Sequence, residues 1–429
     1  MTSGYLTSIT PDSFSGLIFG FEGVENVVVL LNGPTGCKFY HSATADHQTM
    51  RRLRFDPFQY PELWYFGQPR VPCTYLDKRD YVYGSRDKLI DAIAFIEEKM
   101  TADLLVIVNS PGEALIGDDL KQVAQEAKVS MPIVTVETPG YSRYIWDGYD
   151  MACQALIRQL LPEKTEKKPH SKKKVNLLGL SIFHNFHEGD RRELTRLLGL
   201  CGIEVNCALC CDSSLASIYA LPEADLNVVI DPVYGLGSAQ LLEERYGIPY
   251  IARPELPVGF TNTEALLRDI CQALDCDPTP FLEESERTRA RAYLHIFRIN
   301  AMTGLPKGAR FAVHGTAAQC LGFCQFLVKY LGMIADAVSV LDEDDSALRT
   351  FLRQYDMEGA LEKDIFETDA QMVFADGNII AKLKARHHRF SGVEINMPNM
   401  GYVDVIPKTH LGLHGSLLIV EEILNGLLS

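Results

Sequence analysis

The sequence predicts an α/β protein in which parallel sheets are covered by helices on both faces. Three observations predict it. Short apolar runs recur along the chain, with helical periodicity behind several of them, and Gly and Pro mark the strand ends. Strands that alternate with helices, rather than pairing in hairpins, argue for parallel sheets buried on both faces.

Taken in order, the apolar runs lie at residues 27–31, 104–108, 175–180, 226–230 and 310–313. Each reads as a buried parallel strand. Residues 190–200 and 317–331 carry apolar positions at helical spacing directly after two of these strands. The segment EKTEKKPHSKKK, residues 163–174, is charged, contains Pro169 and lacks apolar residues, so it reads as a solvated linker. A weaker boundary falls near residues 304–308. These divide the chain into a unit at 1–165, a charged linker at 166–174, a second unit at 175–300 and a third at 301–429.

A chain of 429 residues exceeds what one hydrophobic core supports, which agrees with several units. Hydrophobic residues make up 47% and charged residues 23%, ordinary for a globular protein. The net charge of -15 argues against non-specific binding to nucleic acid or anionic membrane. The first residues lack a basic region followed by a long apolar run, and no stretch is apolar enough to span a bilayer. A cytoplasmic protein is expected. Eleven cysteines scattered through such a chain favour metal ligands, redox chemistry or buried thiols over a disulfide framework.

The second and third units open alike, with an apolar strand, a short loop bearing histidine and then a helix: GLSIFHNFHEGDRREL and ARFAVHGTAAQCLGF. Ligands of open α/β sheets bind at the carboxyl ends of the strands, so these loops should line a cleft. The chain contains no GxxxxGK[ST] and no GxGxxG, so neither a Walker-type ATP site nor a nicotinamide site is indicated.

In VVVLLNGPTGCKFYH a buried strand ends at Asn32, and a Gly-Pro-Thr-Gly turn presents Cys37 at its carboxyl end. Gly33 and Gly36 allow the backbone to crowd a bulky ligand. This turn resembles the one by which nitrogenase component 1 subunits bind their P-cluster, and by which the related tetrapyrrole reductases bind a 4Fe–4S cluster. CTYLDKRDYVYGSRDKLIDAI and DLLVIVNSPGEALIGDDL follow in the family's order, as do VNLLGLSIFHNFHEGDRRELTRLLGLCGIEVN and ADLNVVIDPVYGLGSAQLLEERYGIPY. The terminal GLHGSLLIVEEILNGL is similar to the family's last loop and helix. The resemblance covers nearly the whole chain and implies three Rossmann-like units.

It also implies a reductase subunit that accepts electrons from an ATP-hydrolysing iron protein and reduces a substrate or cofactor held between its units. Two family cysteines are absent. Residues 109–113 read Asn-Ser-Pro-Gly-Glu before the Ile-Gly-Asp-Asp loop, and residues 10–13 read Thr-Pro-Asp-Ser. Cys73 is then the best second ligand, because its strand lies beside the Cys37 strand in the family. Cys37 and Cys73 from each of two protomers would complete the four thiolates of a 4Fe–4S centre at a dimer interface. The dimer is a homodimer or a pairing with a related subunit. Asp12 reads as a helix cap rather than an oxygen ligand.

The nitrogenase cofactor hangs from a cysteine near the position of Asp231. Its absence sides with the tetrapyrrole reductases, although a second metallocofactor or a tetrapyrrole in the cavity both remain open. His184, His187, Asp231 and His314 are the candidate proton donors there, each weighed against a solvated histidine or a turn aspartate. In CALCC, residues 207–211, buried thiols are favoured over a metal site. Cys320 and Cys324 share one apolar helix face and read as core. His41, His47, Arg51, Arg52 and Arg54 follow the turn and read as an ordinary exposed helix face rather than a docking site for an acidic electron donor or an anionic substrate. A non-catalytic scaffold for metallocofactor assembly is the alternative function, and a cluster-free ligand-binding protein the third.

Overall fold

The computed structural model describes residues 12–34, 36, 71–113, 117–137, 143–163, 171–386, 388–399 and 405–429. Its strands form three sheets, ordered β1-β2-β3, β5-β4-β6-β7 and β11-β10-β8-β9. Every pairing within them is parallel. The α/β architecture of parallel sheets flanked by helices is therefore as the sequence predicts.

The first sheet holds β1 (Val27–Asn32), β2 (Leu104–Asn109) and β3 (Ile133–Val136). β1 and β2 are buried along their whole length, which is why both read as unbroken apolar runs. Their register sets Asn32 opposite Asn109 at the carboxyl ends. The second sheet holds β4 (Lys174–Leu178), β5 (Glu204–Ala208), β6 (Leu226–Val229) and β7 (Tyr250–Ala252). Lys174, the last residue of the expected linker, already pairs with Glu204 in this sheet. The third sheet holds β8 (Arg310–Gly315), β9 (Ile334–Val340), β10 (Met372–Asp376) and β11 (Ser391–Asn396).

The hydrophobic core does not respect these divisions. One cluster joins Val175, Leu177 and Val228 of the second sheet to Phe311, Val313 and Phe374 of the third. Another joins Val27, Val29 and Leu31 of the first sheet to Leu178 and Val229 of the second. The closing helix Gly412–Leu428 packs on the helices His187–Leu200, Gly259–Leu274 and Thr279–Thr303.

Two buried carboxylates secure that return. Asp190 Oδ1 accepts from the Thr409 hydroxyl at 2.6 Å and the His410 amide at 3.0 Å. Glu193 Oε1 accepts the amides of Leu413 and His414 at the start of the closing helix, while Arg196 forks onto both Glu193 oxygens. A carboxylate under a helix N-terminus is favoured by the exposed amides and the helix dipole. Among the described residues no helix is long and apolar enough to cross a membrane.

Candidate functional site

Two regions hold several of the residues singled out from the sequence. The first lies at the edge of the first sheet. Residues 71–76 run alongside β1 as an extra extended segment: Leu31 N–H donates to Pro72 O at 2.8 Å, and Thr74 N–H donates to Leu31 O at 3.1 Å. Cys73 thereby bridges Leu31 in parallel register and is buried on the same side as Leu31 and Val29. Thr74 faces the other way. Its hydroxyl donates to Asn32 Oδ1 at 2.8 Å and accepts from the Gly33 amide at 3.0 Å. Asn32 in turn donates to Ser85 and to Asn109, each at 3.0 Å. This network fixes the end of β1, where the glycine turn begins.

Gly33 has a specific steric reason. A Cβ there would stand 2.8 Å from both Cβ and Oγ of Ser110, so Gly33 is crowded by a protein side chain of the neighbouring strand end. Gly36 is exposed, with nothing within 4 Å of a Cβ at its position. Cys37 lies outside the described residues, as do His41, His47, Arg51, Arg52 and Arg54. Asp12 is the cap expected: its Oδ1 accepts from Ser15 N–H at 2.9 Å at the head of the helix Ser13–Glu22. In the segment that lacks the family cysteine, Glu113 is fully buried, and burial raises its pKa above the usual carboxylate range.

The segment that follows Cys73 carries several exposed side chains. Tyr75, Tyr81, Val82 and Tyr83 are all exposed, Val82 by 73% and Tyr83 by 80%.

The second region is the seam between the second and third sheets. Asp231 follows β6 and caps the helix Pro232–Tyr246, accepting from Val233 N–H. Its other oxygen faces His184 Nε2 at 3.3 Å and accepts from the Thr316 hydroxyl at 2.9 Å. The Ser181 amide donates to His184 Nδ1 at 3.1 Å, so the ring hydrogen belongs on Nε2 and points at Asp231. The His184 loop is itself clamped to the third sheet. Asn185 N–H donates to Ile395 O, its side chain donates to Glu394 O, and Met397 N–H donates to Phe183 O.

His184 and Asp231 are thus brought together, but inside a packed seam. Asp231 is wholly buried and His184 is 5% exposed. Asp342 lies close by and accepts from the Ala317 amide at 2.6 Å; burial, with the nearby Asp231, pushes its pKa to about 6. Thr316 and Asp342 were missed from the sequence. Thr316 had one local signal, the Thr-x-x-Gln capping box with Gln319.

The other two histidines go elsewhere. His314 hydrogen-bonds Ser339 Oγ at 2.9 Å and faces Asp376 at 3.7 Å, at the carboxyl ends of β8, β9 and β10. Desolvation depresses its pKa, against the pull of Asp376. Beside it, Gln319 and Asn396 pair through their amides. His187 opens the helix His187–Leu200, with its ring 3.9 Å from Asp212, away from the Asp231 seam. Cys207, Cys210, Cys211, Cys320 and Cys324 are all buried. Among the described residues no group of three or more His, Cys, Asp or Glu is arranged to hold a metal ion.

Comparison with known proteins agrees with this architecture. Residues 13–428 match the family model for nitrogenase component 1 type oxidoreductases. The chain is similar to a light-independent protochlorophyllide reductase subunit from Bradyrhizobium sp. (strain ORS 278), 24% identical over 312 residues, covering 71% of this chain and 59% of that protein. The corresponding protein from Synechococcus sp. (strain WH7803) is 25% identical over 332 residues, covering 75% and 62%. The chain thus spans about three-fifths of the length of these relatives. Solved structures of nitrogenase Cp1 share the fold. At pH 6.5 the TM-score is 0.77 at 16% identity, over 98% of this chain and 93% of that one. At pH 5 it is 0.72 at 19% identity, over 100% and 90%. With the family match running almost end to end over this three-sheet fold, the chain belongs to the nitrogenase component 1 type oxidoreductases.

Proposed function

We propose that this chain is a nitrogenase-like reductase subunit that holds an iron–sulfur cluster at a dimer interface through Cys37 and Cys73. The observation that carries the reading is the position of Cys73. It is a buried thiol fastened beside the strand that leads into the glycine turn, and Tyr75, Tyr81, Val82 and Tyr83, within ten residues of it along the chain, are exposed. A soft thiolate donor in an apolar, water-poor edge suits iron–sulfur ligation. One protomer supplies too few ligands, so the second pair of thiolates would come from a homodimeric partner or a related subunit. When bound, the cluster supplies one-electron storage.

The remaining roles follow from the family and from the chain's own residues. An ATP-hydrolysing iron protein is the proposed electron donor and a cytoplasmic setting the proposed location. The substrate is proposed to lie between the units, and a tetrapyrrole is favoured by the likeness to protochlorophyllide reductase subunits. His314, on the carboxyl edge of the third sheet and only partly covered, is the group best placed to pass a proton to it. His184 and Asp231 lie behind it in the seam, and His187 stands apart near Asp212.

Anaerobic purification with iron and sulfide analysis and electron paramagnetic resonance tests the cluster. The expected result is a reducible cluster that disappears in Cys37→Ala and Cys73→Ala. Full iron and sulfide in the double variant would overturn the reading. A second reading, a scaffold for cofactor assembly, is favoured by one observation: Asp231 stands where an anchoring thiol is expected and is wholly engaged in the seam. Repeated turnover with reductant, iron protein and ATP separates the enzyme from the scaffold, which would release a metal cluster once.

A further inference from the structure

We infer that Cys201 and Cys271 are a peroxide-responsive redox pair, closing to a reversible disulfide at the amino edge of the second sheet. Both are free thiols in this structure. Cys201 follows the helix His187–Leu200, just before Gly202 turns the chain with φ +73° towards β5. Cys271 lies in the last turn of the helix Gly259–Leu274, which Asp275 ends in the left-handed region. The two side chains meet. The Cys201 thiol donates to Cys271 Sγ, which holds the Cys271 thiol below its usual range and raises that of Cys201. Cys276 stands near, but its Sγ turns to Leu274 O at 3.8 Å, while its backbone N–H donates to Cys271 O at 2.9 Å. Cys201 is therefore the partner in reach.

The pair lies just under the surface. Gly202, Gln272, Ala273 and Asp275 beside it are exposed in the sequence on either side. Cys153 and Cys210 also touch, but Cys210 is flanked by buried Leu209 and Cys211, deep in the core. Around the Cys201 site Asp225, Asp275 and Asp277 outnumber Lys173. That field disfavours an anionic oxidant such as glutathione disulfide and favours a small neutral one, hydrogen peroxide. Cys271 Sγ, its proton lost, attacks one peroxide oxygen and the O–O bond breaks. The leaving hydroxide takes up that proton as water, and the sulfur becomes a sulfenic acid. Cys201 Sγ then attacks Cys271 Sγ, the S–O bond breaks, and a second water leaves with the Cys201 proton. Two thiols lose two electrons and one peroxide becomes two waters. The bond tethers two helices that both pack under the closing helix Gly412–Leu428. It closes a loop of about 70 residues, which restricts the unfolded chain.

The test adds stoichiometric hydrogen peroxide to the full, anaerobically prepared chain, then blocks free thiols with N-ethylmaleimide in acid and maps the peptides. The expected product has lost two hydrogens, links position 201 to position 271, and reverts with dithiothreitol. Cys153 and Cys210 should stay labelled. The oxidised chain should melt at a higher temperature than the reduced one, and Cys201→Ala should show neither the link nor the rise. The same link should form in the Cys37→Ala, Cys73→Ala double variant, so the outcome does not depend on the cluster. The inference fails if Cys201 and Cys271 stay labelled while Cys276 is oxidised, or if the link joins Cys271 to Cys276 or Cys153 to Cys210.

Discussion

Thr316 donates its hydroxyl hydrogen to Asp231 across 2.9 Å, although the two residues stand 85 positions apart in the chain. One follows β6 and the other follows β8, so this contact joins the second sheet to the third. His184 reaches the same carboxylate oxygen from the loop after β4. A single buried aspartate thus satisfies a cap, a histidine and a hydroxyl, and removing it strands three polar groups in a dry seam.

Asp231→Ala should therefore cost about 2–4 kcal/mol, from a lost cap and buried groups left without partners. Thr316→Val should cost about 1–3 kcal/mol. Denaturant melts of both variants and of the double variant check this. The double variant should fall short of the sum, because both changes remove the same contact.

Stability should rise as pH falls from about 7 towards 5. Burial raises the folded-state pKa of Asp190 to about 6 and that of Asp342 to about 6, both above the unfolded value of 3.8. Between those values the folded state binds more protons than the unfolded one, so acidification favours folding. Glu193 works in the opposite sense. Its hydrogen bonds to His414 and Arg196 hold its pKa down at about 2 against the opposing effect of burial, so its contribution is full above 4.5 and lost as pH falls towards 2. Urea midpoints measured from pH 3 to pH 8 should pass through a maximum. Asp190→Asn should flatten the slope between pH 4 and pH 6.

The helices Ser13–Glu22 and Ile145–Leu160 approach backbone to backbone. A Cβ on Gly148 would collide with Ser13 O, and one on Gly16 would collide with Ile145 O. Neither collision can be relieved by turning a side chain. Gly148→Ala should cost at least about 3 kcal/mol, the upper end for overpacking, and lower the thermal midpoint accordingly.

His314 should titrate below the usual histidine range and be neutral at pH 7, since desolvation opposes its charged form. Asp376→Asn removes the group that pulls the other way and should move the midpoint lower still. Chemical shifts of the imidazole followed against pH in both proteins decide it. A midpoint that rises in the variant would show that Asp376 does not act on this ring.

Much of this fold was legible along the chain. The runs at 27–31, 104–108 and 226–230 became buried parallel strands because a strand covered on both faces needs apolar residues at consecutive positions. The cap at Asp12 and the core burial of Cys320 and Cys324 were also local readings. The crowding of Gly33 by Ser110 was not legible, because that side chain comes from the end of the neighbouring strand. Nor was the separation of His184 from His187. They are three residues apart, yet one turns into the Asp231 seam and the other towards Asp212.

The sequence by itself determined the fold class, the strands that build the sheets and the family order of motifs, because periodicity and turn chemistry act over a few neighbouring residues. Only the tertiary structure decided that Asp231 meets Thr316 and His184, that Cys73 lies beside Leu31, and that Asp190 and Glu193 hold the returning C-terminal segment. Those contacts join positions tens to hundreds of residues apart. Their partners are chosen by how whole sheets pack and which polar groups burial leaves needing a hydrogen bond, and no local pattern carries that information.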